Sequence, residues 1–444
     1  MTNVTPESSH NAARHVALAL RKAGHETWFV GGCVRDKLLG KDPSDWDITT
    51  AARPEEVRAV FDHTIPVGES FGVIIVVAEE QHFEVATFRT EDGYEDGRRP
   101  SHVEFATAEE DVRRRDFTVN GLLMDPETDE IRDLVGGRAD LTARVIRAIG
   151  DPDERFTEDH LRALRAVRFA SSLGFEIAPE TKAAIGRCVP YIKRISYERI
   201  REETTKILTR PNARRGFELL AETGILSEIL PELVVMQGCT QPPQFHPEGD
   251  VWEHTLTMLE MMASNPVPRF AWSVLLHDVG KPPTRTVAER IRFDGHASKS
   301  ESMTEEIMTR LRFSRADIDA VTALVGQHMR FMHVKKMRPN RLKRFLRRDD
   351  FGLHLELHRL DCLGSFGGLD HHEFCVKTLA ELGEEKLHPV PIFSGRDLIA
   401  MGFQPGPIFK EILLAVEDAQ LDGDVSTSEE AKALVIDRWG TPSD

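Results

Sequence analysis

All of the strand-like alternation in this 444-residue chain lies in its first third, and beyond about residue 149 nearly every segment repeats like a helix. "TWFVGG", "DWDITT", "GVIIVVA", "HFEVATF" and "GLLMD" read as strands, separated by helical "PEEVRAVF" and "EEDVRRRDFTVN". A sheet must therefore be assembled from the early residues, and the later ones have to pack helix on helix. The chain is also too long for one core, which implies two to four domains. The expectation is an α+β protein: a head over 10–148, a helical neck over 149–240, a histidine-rich helical domain over 241–375 and a helical tail over 376–444. The Pro-rich "GCTQPPQFHPEGD" at 238–250 is the clearest linker.

The stretch "WFVGGCVRDKLLGKDPSDWDITT" concentrates chemistry in the head. If "DWDITT" is a strand, Asp45 and Asp47 project from the same face, because strand side chains alternate. Two carboxylates so close repel unless a cation lies between them, and Mg²⁺ prefers such oxygens. The bland alternative is an acidic surface turn. Gly31 and Gly32 allow backbone amides to approach a phosphate, and Arg35 on the opening turn of the next helix favours the same anion. Glu84 in "HFEVATF" stands either as a third carboxylate or as an edge residue of its strand.

Two further clusters are cationic. "RRRDFTVN" sets Arg113 to Arg115 beside Asp116, either a surface charge run or buried arginines needing anions. In "EDHLRALRAVRF", Asp159, Arg162, Arg165 and Arg168 recur every third residue, making one slanted stripe if all lie on a single helix. An Asp acceptor beside an Arg donor matches adenine and cytosine, which present an amino group next to an unprotonated ring nitrogen. Guanine and uracil present the reverse and leave buried groups unpaired. An ordinary intrahelical ion pair is the alternative.

The ordered set GG-x-VRD-x-LLG with its downstream D-x-D, RRDFT-x-N, D-L-x-GG-x-x-DL (133–141), ED-x-LR-x-LRA-x-RF and "ISYERIREE" (195–203) resembles the class II (bacterial-type) tRNA nucleotidyltransferase and poly(A) polymerase family. The resemblance implies a DNA polymerase β-like nucleotidyltransferase head followed by an all-helical RNA-binding remainder. It implies that Asp45 and Asp47 bind Mg²⁺ as catalytic carboxylates, Glu84 being the candidate third catalytic carboxylate, and that Gly32, Arg35 and Arg115 contact the triphosphate or sugar. Asp159 and Arg162 become the protein's template for the incoming base, supported by Arg165 and Arg168. Glu69 and Ser70 replace the basic pair of bacterial poly(A) polymerases, and the 87–107 segment is full length, which favours a tRNA enzyme able to add the terminal A.

Downstream, "VWEHTLTMLEMM", "WSVLLHDVGKPPT", "DGHASKS", "LVGQHMRF" and "ELHRLDCLGS" place polar ligand types on apolar helices. His254, His277, Asp278 and Asp361 resemble the H…HD…D pattern of HD-superfamily metal-dependent phosphohydrolases, and His296 and His328 match the extra histidines of two-metal members. A second divalent metal of unknown identity is expected there. A metal-free structural domain is the alternative.

Net charge −16 excludes a generally basic nucleic-acid coat but not a local stripe. "VKKMRPNRLKRFLRR" at 334–348 carries eight Lys/Arg and no acid, a candidate tRNA contact or a solvated helix face. Five dispersed cysteines, no leader-like N-terminus and no apolar run of ~18 residues point to a cytoplasmic protein without a membrane span. The expected activity is addition of C, C and A to tRNA 3′ ends from CTP and ATP, with an HD phosphohydrolase activity alongside. The alternatives are A addition alone, poly(A) synthesis, or chiefly an HD phosphohydrolase acting on RNA ends.

Overall fold

The computed structural model describes residues 6–68, 72–94, 100–244, 246–247, 249–365 and 367–441. Its contacts separate two compact units. One is the chain up to Val234 with 263–268 and 309–313; the other comprises 235–262, 269–308 and 314 onward.

The strands of the first unit are β1 (Thr27–Val30), β2 (Ile48–Thr50), β3 (Thr64–Gly68), β4 (Val73–Ala78), β5 (Gln81–Thr87), β6 (Arg89–Tyr94), β7 (Pro100–Phe105), β8 (Leu122–Met124) and β9 (Ile131–Asp133). Seven of them form one sheet in the order β3-β4-β5-β2-β1-β8-β9. Among the described residues of this sheet, only β2 and β5 pair in parallel. Alternation decides what each face shows: Phe83 and Val85 are buried, and Glu84 between them is exposed. The helix Pro6–Lys22 buries Ala12, Ala13, Val16, Ala17 and Leu20, one stripe at helical spacing, on this sheet.

Several local expectations need correction. "DWDITT" is strand only from Ile48, so Asp45 and Asp47 lie on the extended run that enters β2. "EEDVRRRDFTVN" is not one helix. It is Ala108–Arg113, capped by Thr107 and Glu110, then a separate 3₁₀ turn Thr118–Asn120. The 87–107 segment is largely the β6–β7 hairpin; residues 95–99 and the Glu69–Ser70 pair lie outside the described residues.

The D-L-x-GG-x-x-DL segment seats that 3₁₀ turn. Asp133 Oδ1 accepts from the amides of Val135, Gly136 and Gly137 at 3.1, 2.9 and 3.0 Å, and its Oδ2 accepts from Arg138 at 3.0 Å. Asp140 accepts from the Thr118 hydroxyl at 2.7 Å. A Cβ on Gly137 would stand 2.3 Å from the Thr118 carbonyl oxygen, so only glycine permits this approach.

Beyond residue 149 the first unit is helical apart from the short pairing of Val145–Ile146 with Glu176–Ile177. Among the described residues, the regular structure of the second unit is helical apart from the strand pair Thr286–Val287 with Ile291–Arg292. Its last part has its own core of Phe393, Leu398, Phe403, Ile412, Val416, Ala431 and Val435. The basic run 334–348 is only partly a solvated face. Arg344 pairs with Glu417 and Asp418, Arg347 with Glu417 at 2.5 Å, and Arg348 with Asp350. Lys343 donates to the Leu421 carbonyl. Lys335, Lys336, Arg338 and Arg341 stay exposed. Three of the eight basic residues, Lys343, Arg344 and Arg347, are therefore turned onto the helix Pro407–Asp422.

Two glycines test the packing argument. Gly137→Ala is expected to destabilise by about 1–3 kcal/mol. Gly186→Ala, exposed on a helix with open space around its Cβ, should stabilise by up to about 1 kcal/mol; urea denaturation of both variants compares them. His354 tests burial. Its ring is 1% exposed and lies edge-on to Phe345, and burial, opposed by Asp350, pushes its pKa down to about 4. The unfolded chain gains this proton near pH 6.5 and the folded chain only near 4, so stability is lost as pH falls through that window. The loss is on the order of 3 kcal/mol. His328 and His358 are shifted the same way, so His354→Phe should make the unfolding midpoint fall less steeply between those pH values, not abolish the fall.

Candidate functional site

A cavity of about 630 Å³ opens in the first unit. Gly32, Arg35, Asp45, Asp47, Arg115, Asp159, Arg162, Arg165 and Arg168 all line it. Glu84 is outside its lining, and so is Arg113, which pairs with Glu109 on the surface.

Asp45 and Asp47 share one side of their extended run because Trp46 between them turns inward. The indole is buried and stacks on His10 at 4.2 Å. The glycine that permits the tight turn is Gly31, at φ 81°, where an added Cβ would lie 3.4 Å from Asp47 Oδ2. Gly32 opens the helix Gly32–Leu38. Burial pushes the Asp47 carboxyl up to about 6; the charges of Glu84 and Asp45 add to this, and Arg115 and Arg35 oppose it. So Glu84 acts on Asp47 electrostatically from the exposed face of β5. A buried carboxyl made costlier to ionise by two neighbouring carboxylates suits a divalent cation, which would relieve it.

The arginines are held by acids, several of which sequence reasoning passed over. Asp111, fully buried, takes Arg114 at 2.6 Å and Arg115 at 3.0 Å. Its spacing of three and four residues from that pair on "EEDVRRRD" was the available signal. Arg35 donates to Asn120 Oδ1 at 2.7 Å and to Asp36 at 2.8 Å. Asn120 donates in turn to Asp116, which also receives Arg165 at 2.6 Å. Burial alone would raise the Asp116 carboxyl; Arg165 and Asn120 outweigh it and hold it below the usual range. Arg168 is buried against Glu203 at 2.5 Å, a structural pair at the cavity's back.

The single-helix stripe is not what forms. Asp159 closes the helix Pro152–Glu158 in an extended conformation, and the next helix, Leu161–Leu173, carries the three arginines. Arg162 pairs with Glu158 and donates to the carbonyls of Arg155 and Arg114 at 3.0 Å each. Asp159 is instead bound by Arg199 of "ISYERIREE", at 3.1 and 2.6 Å. Both residues still line the cavity.

The second unit gathers the histidines. Two triads share Asp278: His254–His277–Asp278 and Asp278–His296–His328, with ligand atoms within 4.8 Å of one another in each. His277 Nε2 lies 3.1 Å from Asp278 Oδ2, and His296 and His328 Nε2 lie 3.6 and 3.7 Å from Oδ1. Asp361 joins at the edge, 3.2 Å from His254 Nε2. Every one of the four rings directs Nδ1 at a backbone carbonyl, of Gly364, Val274, Phe293 and Val325 respectively, at 2.6–3.2 Å. A carbonyl only accepts, so each Nδ1 carries the proton and each Nε2 lone pair points inward, the tautomer that ligates metal. Burial pushes His328 down to about 4, which keeps it neutral. His277 Nε2 and both Asp278 carboxylate oxygens are buried without an aligned hydrogen bond. Lys281 Nζ approaches Asp278 Oδ2 at 2.6 Å as an ion contact and donates to Gln241 at 2.7 Å. Sequence reasoning passed over Lys281, although it stands three residues beyond the His-Asp pair. The donor set and the orphaned atoms fit divalent metal.

Family models match three parts of the chain. The model of the poly A polymerase head domain matches residues 27–147, that of the probable RNA and SrmB-binding site of polymerase A matches 174–236, and that of the HD domain matches 251–351. The sequence is 48% identical over 215 residues to the CCA-adding enzyme of Geobacillus stearothermophilus, covering 48% of this chain and 53% of that one. It is 43% identical over 255 residues to the CCA-adding enzyme of Lactobacillus helveticus (strain DPC 4571), covering 56% and 63%. The chain thus spans about half the length of the curated relatives it matches. The crystal structure of the Bacillus stearothermophilus CCA-adding enzyme in complex with CTP superposes with a TM-score of 0.72 over 97% of each chain, at 30% identity. The Thermotoga maritima CCA-adding enzyme complexed with tRNA shares the fold, with a TM-score of 0.60 over 98% of this chain and 96% of that one at 21% identity.

The shared Asp278 makes a direct test. The purified chain should retain divalent metal through gel filtration, and elemental analysis should find almost none in Asp278→Ala but a partial loss in His296→Ala. Equal metal content in all three proteins would contradict the two-triad geometry.

Proposed function

Because the chain belongs to the tRNA nucleotidyltransferase and poly(A) polymerase family, we propose that it adds C, C and A to the 3′ ends of tRNA, using CTP and ATP and no nucleic-acid template. The observation that carries this reading is the cavity of the first unit, where Asp45 and Asp47 face a group of arginines beside the Asp159–Arg162 pair. The finer division into head (10–148), neck (149–240), HD domain (241–375) and tail (376–444) belongs to the same proposal.

In this reaction the RNA 3′-hydroxyl attacks the α-phosphate of the nucleotide and pyrophosphate leaves. Asp45 and Asp47, with Glu84 nearby, would hold Mg²⁺, which when bound neutralises charge on the attacking and leaving oxygens. Arg35 and Arg115 lie beside Asp47 and attract the triphosphate; their tethers to Asn120 and Asp111 keep them in place before substrate arrives. Asp159 and Arg162 read the base edge, and Arg165 and Arg168 sustain the wall behind them. The β6–β7 hairpin, whose segment is full length, supports addition of the terminal A as well as the two Cs.

The second site supports a phosphohydrolase activity on RNA ends, as phosphatase or cyclic phosphodiesterase. His254, His277, Asp278 and Asp361, with His296 and His328, would hold one or two divalent metals, which supply Lewis acidity for phosphoester hydrolysis. The five cysteines are buried and unbridged, and among the described residues no helix is long and apolar enough to cross a membrane; both support a cytoplasmic setting.

Extension of three tRNAs, ending before CCA, after one C and after CC, tests the reading. With CTP and ATP together the first should grow by three residues and stop. Growth of the CC-ended tRNA alone, by one A, would make the chain an A-adding enzyme; open-ended A tails would make it a poly(A) polymerase.

A further inference from the structure

Asp159 stands where one helix ends and another begins, at φ −144° and ψ 104°. A side chain at such a junction has no helical neighbours to fix its rotamer, yet it has to present one acceptor to a base with sub-ångström accuracy. The restraint comes from elsewhere in the chain. Arg199, in the first turn of the helix Tyr197–Thr209, donates from Nη1 to Oδ1 at 3.1 Å and from Nη2 to Oδ2 at 2.6 Å. The Leu161 amide adds a third bond to Oδ1 at 3.1 Å. Two parallel bonds from a planar guanidinium set the plane of a carboxylate as well as its position.

We propose that Arg199 is a positioning residue for base selection, holding the Asp159 carboxylate in the one orientation that accepts an amino group. The proposal rests on the reading of Asp159 and Arg162 as the base template. An acceptor by itself does not tell bases apart: the amino hydrogens of adenine and cytosine and the ring N–H of guanine and uracil are all donors. Discrimination requires the acceptor to face the amino position and to be unable to swing to the ring position. Oδ1 takes two of the bonds described and Oδ2 one, which leaves a lone pair on Oδ2 for the incoming base. Arg162 is braced independently, by Glu158 and by the carbonyls of Arg155 and Arg114. The acceptor and donor halves of the template are therefore held by different parts of the chain and can be loosened separately.

The experiment measures single-nucleotide incorporation into tRNA by the full chain with CTP, ATP, UTP and GTP in turn, for wild type, Arg199→Gln, Arg199→Lys and Asp159→Ala. Arg199→Gln should raise incorporation of UTP and GTP relative to CTP and ATP by roughly tenfold or more. The change should appear mainly in KM, and Arg199→Lys, which keeps the charge but not the fork, should fall between. A loss shared equally by all four nucleotides in Arg199→Gln, with the ratio unchanged, would overturn the proposal and leave Arg199 a structural residue. If Asp159→Ala also keeps the wild-type ratio, the template reading itself fails. If Asp159→Ala relaxes the ratio and Arg199→Gln does not, only the role of Arg199 fails.

Discussion

Eight arginines line the cavity of the first unit, and so much like charge stays together only because carboxylates are threaded through it. Asp36, Asp111, Asp116, Glu158, Asp159 and Glu203 together pair seven of the eight. Removing the partner of a buried ion costs several kcal/mol, whereas a satisfied pair contributes little net stability. The network is better understood as orientation than as glue. It fixes guanidinium groups before any anion arrives, so that binding needs little reorganisation. The sheet exists to aim the opposing feature: β1 and β2 bring Gly31 against Asp47, and the turn seated by Asp133, Gly137 and Asp140 brings Asn120 against Arg35.

The second unit solves a similar problem with neutral ligands. The four histidines of its site are mostly buried, and burial keeps the His328 ring uncharged. Backbone carbonyls then choose the tautomer, so that one carboxylate, Asp278, faces several Nε2 atoms at once. The first unit orients charge to receive an anion, while the second orients lone pairs to receive a cation.

Much of this was legible in the residues. Alternation and helical spacing marked where the sheet ends, and the paired aspartates, the arginine runs and the His-Asp pattern named most of the residues that now share a site. What escaped depended on tertiary contact. The stripe from Asp159 to Arg168 read as one helix because its spacing is helical, but the chain breaks at Asp159 and His160. Arg199 was invisible as a partner because forty residues of sequence separate it from Asp159. The basic run 334–348 looked free because nothing in its own composition reveals Glu417 or Asp418. Gly31 and Gly32 were indistinguishable until the backbone gave only the first a positive φ.

The central claim is that protein side chains alone choose the nucleotide. Equilibrium binding of CTP, ATP, UTP and GTP to the chain by titration calorimetry, with Mg²⁺ and without any RNA, tests it most directly. The account predicts measurable binding of CTP and ATP and at least roughly tenfold weaker binding of UTP and GTP. Equal affinity for all four would contradict it, because selection would then have to come from the RNA.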